Sequence, residues 1–182
     1  MPQARASGNR RLVPVVVATA LVALAAHPAR AAAAEPVRIA VFDLELDDRS
    51  AGGGVLGPDA RDADYLRQTT EEARRLLAAS GRYTVVYTDS VAGEIAAAGG
   101  IRHCNGCDGP LALKLGAAQA MIGVLTRVSR TEYTLQLVVR DARTGAVVSD
   151  NFSGLRMGAN YSWPRGVKWL VTNRILPSTP VE

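Results

Sequence analysis

Three β-patterned stretches close together in the chain, Ala120 to Ser129, Tyr133 to Asp141 and Ala146 to Leu155, are joined through Arg130-Thr131-Glu132 and Arg143-Thr144-Gly145. Parallel pairing requires a crossover of about a dozen residues or more, so connections this short admit only hairpins. This part of the chain is therefore an antiparallel meander. The part before it obeys the opposite rule. Two β-rich stretches, VRIAVFDLEL at 37–46 and YTVVY at 83–87, are separated by a long segment whose apolar residues fall at helical spacing: Leu66, Thr69, Ala73, Leu76 and Leu77 between Asp62 and Ala79. A helical crossover favours parallel strands.

Within 37–46 the pattern reads as one strand, buried on both faces at its start and alternating later. Phe42, Leu44 and Leu46 fall on one face and Asp43, Glu45 and Asp47 on the other. An irregular loop with Gly52, Gly53, Gly54, Gly57 and Pro58 follows. A small helix is expected over about 90–98. Asp108 is a candidate N-cap for a further helix through Ala117, with Pro110 in its first turn. The last helix opens at Ser162 and Pro164 and runs to about Leu176. Its apolar stripe is Trp163, Val167, Leu170, Val171 and Ile175. The expectation is an α/β (α+β mixed) single domain over 36–176 with a short tail at 177–182. Its five-stranded mixed sheet is packed with helices in the order β-α-β-α-α-β-β-β-α.

The first thirty residues follow a different rule. Arg5, Arg10 and Arg11 precede an apolar run of 15 residues from Leu12 to Ala26, which includes Pro14, and small residues surround Arg30. A membrane-spanning helix needs about 20 apolar residues, and the layout is that of a secretory signal peptide. Residues 1–31 are expected to be a cleavable signal, cut within 31–34. The rest of the chain, without a membrane span, is then expected in the periplasm. Composition supports this division. The whole chain carries 21 Lys and Arg against 17 Asp and Glu, but four of the cations lie in residues 1–31, which leaves 17 against 17. A balanced domain has no electrostatic footprint for nucleic acid.

Export places Cys104 and Cys107 in an oxidising compartment, where a disulfide is the default. Asn105-Gly106 between them is turn chemistry. Two other uses of this spacing stay open. Arg102 and His103 would lower a neighbouring thiol pKa, as redox exchange requires. A metal would need two more ligands, for which His103 and Asp108 are at hand. Covalent haem attachment needs a His directly after the second Cys, where Asp108 stands. The acids Asp43, Glu45 and Asp47, with Asp48 beside them and Asp59, Asp62 and Asp64 across the loop, are a candidate oxygen-rich cation site. They read equally as a solvated acidic edge. Gly52-x-Gly54-x-x-Gly57 matches a dinucleotide fingerprint in letters, but Pro58 and the surrounding acids oppose pyrophosphate. No cofactor is expected, and a lone histidine in the exported part supplies no catalytic constellation.

The blocks VFDLELDD, LRQTTEEARRLLAASGRYTVV, LALKLGAAQAMIGVLTRVS, VVRDARTGAVV and SWPRGVKWLVTNRIL, in this order around the cysteine pair, resemble the secreted bacterial proteins of domain-of-unknown-function family 2380. The resemblance covers nearly the whole exported part and implies an exported single-domain protein rather than a reaction. More distantly, the layout is similar to the N-terminal domain of TolB and to domains of curli-secretion and penicillin-binding-protein-activator lipoproteins, which are interaction domains of the bacterial envelope. TolB's propeller and a lipoprotein Cys have no counterpart in these residues, so partner and anchoring do not carry over. The function implied is a non-enzymatic accessory domain that meets an envelope protein partner. The alternative is a metal-binding, small-ligand or thiol-redox accessory of a periplasmic oxidoreductase system.

Overall fold

A computed structural model describes residues 35–51, 60–129, 131–156 and 163–177. The signal-like segment, the glycine-rich loop with Asp59, Ser162 and the tail at 178–182 lie outside them.

The stretch expected as one strand is two. β1 (Val37–Val41) and β2 (Glu45–Asp48) both run parallel to β4 (Gln119–Arg127). Val41 stands opposite Met121 and Glu45 opposite Val124, so four residues of advance on one side match three on the other. The extra residue turns the alternation over, as a bulge does. Ile39 and Val41 belong to one core layer, and Ala40 and Phe42 to the other. Leu44 and Leu46 then return to the layer of Val41. Phe42 consequently does not share a face with Leu44, and the described sheet has six strands rather than five.

The interruption is closed from α1 (Ala60–Ala79). Leu44 N–H donates to Thr70 Oγ1 at 3.0 Å. The buried Arg74 guanidinium donates to the Val41 carbonyl and to the Asp43 carboxylate, each at 2.8 Å. These side chains take up backbone groups that the break would otherwise leave unpaired in the interior. On the opposite strand Gly123 makes room: a Cβ there would lie 2.5 Å from Leu44 Cγ and 2.9 Å from Leu137 Cδ2.

Strand pairing follows the two rules drawn from connection length. β1 pairs in parallel with β3 (Tyr83–Val86) on one side and with β4 on the other. β4, β5 (Glu132–Asp141) and β6 (Val147–Arg156) form the antiparallel meander. The order is β3-β1-β4-β5-β6, with β2 beside β4. A 3-10 turn (Asp89–Val91) and α2 (Ala92–Ala97) occupy the expected small helix. α3 (Asp108–Lys114) begins earlier than expected. Cys107 holds the N-cap position without a side-chain bond, and Asp108 is buried inside the first turn instead of capping it.

Helices cover both faces of the sheet. α1, α4 (Trp163–Leu170) and a π-helical turn (Val171–Ile175) close the layer of Val41, Leu125, Leu135 and Leu137. All five residues of the expected stripe are buried, and Trp163 sits between Tyr65 and Tyr133 with ring centroids 5.6 Å apart in each pair. α3 and the loop before it close the smaller layer of Ala40, Phe42 and Ala120.

Candidate functional site

The segment between α2 and α3 is held to β2 by charge. Gly99 and Gly100 turn the chain with φ of +79° and +110°. The carboxylate of Glu45 then accepts from the backbone N–H of Ile101 at 2.5 Å and of Arg102 at 3.2 Å. Arg102 reaches Asp47 at 2.7 Å. A Cβ on Gly100 would stand 2.5 Å from the same Glu45 carboxylate, so this approach depends on glycine. Beyond this anchor Cys104 and Cys107 are joined by a disulfide. Asn105 and Gly106 supply the turn between them, with φ of +49° and +94°. Both cysteines are half-buried against the smaller core layer, and His103 is exposed beside them.

Asp59 lies outside the described residues, and each of the other acids singled out by spacing faces a donor. Asp43 pairs with Arg74, Glu45 serves the loop backbone, and Asp47 pairs with Arg102 and Arg49. Asp48 and Asp62 meet on Arg127, at 2.8 and 2.5 Å. Asp64 is engaged within its own helix, by Arg67 at 2.8 Å. Among the described residues no three of His, Cys, Asp and Glu gather closely enough to hold a metal ion. Burial pushes the Asp47 carboxyl up, but hydrogen bonds from Arg102 and Arg49 outweigh it and hold the group below its ordinary range. At Asp48 the Ser50 hydroxyl is the largest cause of a shift in the same direction, and Arg127 adds to it.

The stapled loop forms one wall of a groove of about 590 Å³. Its floor is the sheet surface at Ile122 and Val124, and its far wall is the β5–β6 turn at 143–145. The volume is within the range of ordinary ligand or peptide clefts. Arg102, Arg140 and Arg143 line it against one acid, Asp108, which is buried and lies 3.7 Å from Arg140. The start of α3 is pressed on the end of β5, where a Cβ on Gly109 would come within 2.8 Å of the Ala142 carbonyl. The same sheet surface continues along two cross-strand rows, Ile122–Val138–Asp150 and Val124–Gln136–Phe152. Phe152 is 64% exposed, and Val147 and Val148 are exposed at the start of the same strand.

Arg140, Arg143 and Phe152 were not among the residues marked out by spacing. The signal that bears on them is apolar residues at successive positions, Val138-Val139 in β5 and Val147-Val148 in β6. Such runs place apolar side chains on both faces of a strand.

The fold defines a class of small mixed α/β domains, with parallel crossovers at one end of the sheet and a meander at the other. Within it, the chain belongs to the family described as Protein of unknown function (DUF2380), whose model matches residues 37–175. No curated protein matches it. Similar solved structures include the LpoB C-terminal domain from Salmonella enterica, 14% identical over 70% of this chain and 87% of that one, with a TM-score of 0.44. Lipoprotein GNA1162 from Neisseria meningitidis is 17% identical over 75% and 92%, with a TM-score of 0.44. The PelC dodecamer from Paraburkholderia phytofirmans is 13% identical over 81% and 89%, with a TM-score of 0.46.

Proposed function

We propose that the protein is an exported, non-enzymatic accessory domain of the cell envelope. In this reading it holds a protein partner on the sheet surface beside the Cys104–Cys107 loop, and the disulfide is structural. The observation that carries the reading is the groove itself, an apolar floor continuous with exposed Phe152 and rimmed by Arg140 and Arg143, with Arg102 tied back to Asp47 and Glu45 and Asp108 buried beside Arg140. An apolar centre with an arginine rim is the composition of a protein-binding patch, and the rim favours an acidic segment on the partner. The signal-like segment at 1–31, cut within 31–34, would deliver the domain to the periplasm.

The test is site-specific crosslinking in the envelope from a photoreactive residue at position 152, repeated with Arg143→Glu. One protein crosslinked from 152 and lost on charge reversal is the expected result. A domain that yields no adduct from 152, or the same adducts with the reversed charge, does not use this face.

A further inference from the structure

The opposite side of the sheet carries a second surface that partner binding leaves unused. From Trp163 to Leu176 the sequence holds Arg165, Lys168 and Arg174 and no acid. All three cations are exposed, and between them Trp169 is 47% exposed, whereas Trp163 is 5% exposed. The π-helical turn brings these groups together. Leu176 N–H donates to the Val171 carbonyl at 2.9 Å, a bond spanning five residues. In an α-helix residues five apart diverge by about 140°, since each turn takes 3.6 residues. The wider turn instead brings the Arg174 guanidinium over the Trp169 ring, 5.4 Å from its centroid. Arg82 donates to the carbonyl of Leu176 at the end of the turn. From α1, among the described residues, Glu72 faces this surface: Arg75 binds it at 2.7 and 2.8 Å, and Lys168 adds to the positive charge that holds its carboxyl below the ordinary range.

We infer that this face of α4 and its π turn is a peripheral docking surface for an anionic phospholipid bilayer. An exposed indole ringed by cations, on a helix whose other face is fixed in the core, matches what such an interface selects. The ring enters at headgroup level, and each Lys or Arg held near an anionic surface strengthens binding roughly fivefold. The surface lies across the sheet from the groove, so a membrane and a protein partner would not compete. The inference does not depend on the groove.

Tryptophan emission tests it locally, because residues 1–34 contain no Trp and Trp163 is buried. The exported protein is titrated with vesicles of phosphatidylcholine containing about 30% phosphatidylglycerol, and separately with pure phosphatidylcholine. The expected result is an emission shift to shorter wavelength with the anionic vesicles only, reversed by high salt. R165Q/K168Q should weaken partitioning about 25-fold, with unchanged far-UV circular dichroism. Because both side chains are exposed, K168Q alone serves if the double variant folds poorly, with a loss of about fivefold. An unshifted Trp169, an equal shift with neutral vesicles, or undiminished binding by the charge variants would overturn the inference.

Discussion

Single residues decide whether the first strand can break where it does. Gly123 is the clearest case, because the Leu44 side chain occupies the space a Cβ would take and Leu137 closes it from the other side. Both neighbours are buried, so neither can swing away into solvent. Gly123→Ala is expected to destabilise the domain by about 1–3 kcal/mol through overpacking, measured as a lower urea midpoint with an unchanged slope. A midpoint equal to wild type would show that Leu44 re-sorts freely. At this scale the sequence was legible in part. The pairing of Cys104 with Cys107 could be expected from spacing and export. The use of Arg74 as a buried clamp could not, because its partners, Val41 and Asp43, lie more than thirty residues away along the chain. An arginine on a helix looks the same in sequence whether it faces water or a strand end.

At the scale of elements, the stapled loop is held twice, by the disulfide and by the ion pairs of Glu45 and Asp47 with Arg102. A ring this small constrains the unfolded chain by about 2 kcal/mol on the chain-entropy model. The double variant Cys104→Ser/Cys107→Ser is expected to lose no more than that in thermal or urea unfolding. The wild type produced in an oxidising compartment and unfolded without reductant should present no reactive thiol. Two thiols in that assay would move the pair into the redox class. Elements with a strong period were legible within a few residues: α1, the meander strands and the stripe of α4. The division between β1 and β2 was not, because period-two alternation describes each strand separately but carries no information on register against β4.

For the whole molecule, ionisation is concentrated in carboxylates that the fold keeps charged. Asp47, Asp48 and Glu72 are all held below their ordinary values, in each case with arginine among the causes. A carboxyl whose folded pKa is depressed adds stability that is fully present above its unfolded pKa and is lost as pH falls towards the folded one. Stability is therefore expected to be level near neutrality and to decline as pH drops below about 4, as followed by unfolding midpoints from about pH 7 down to about pH 2. A domain equally stable at the two ends of that range would show these pairs to be energetically idle.

The class of the fold was settled locally. Connection length dictates which strands can be parallel and which must be antiparallel, and helical or alternating period dictates what lies between them. Both are properties of neighbours in the chain. The register shift at Asp43, the commitment of the acids to arginines, and the groove between the stapled loop and the β5–β6 turn were decided only in three dimensions. Each depends on groups far apart in sequence meeting across the sheet, and residue pattern records what a side chain is without recording what it will face.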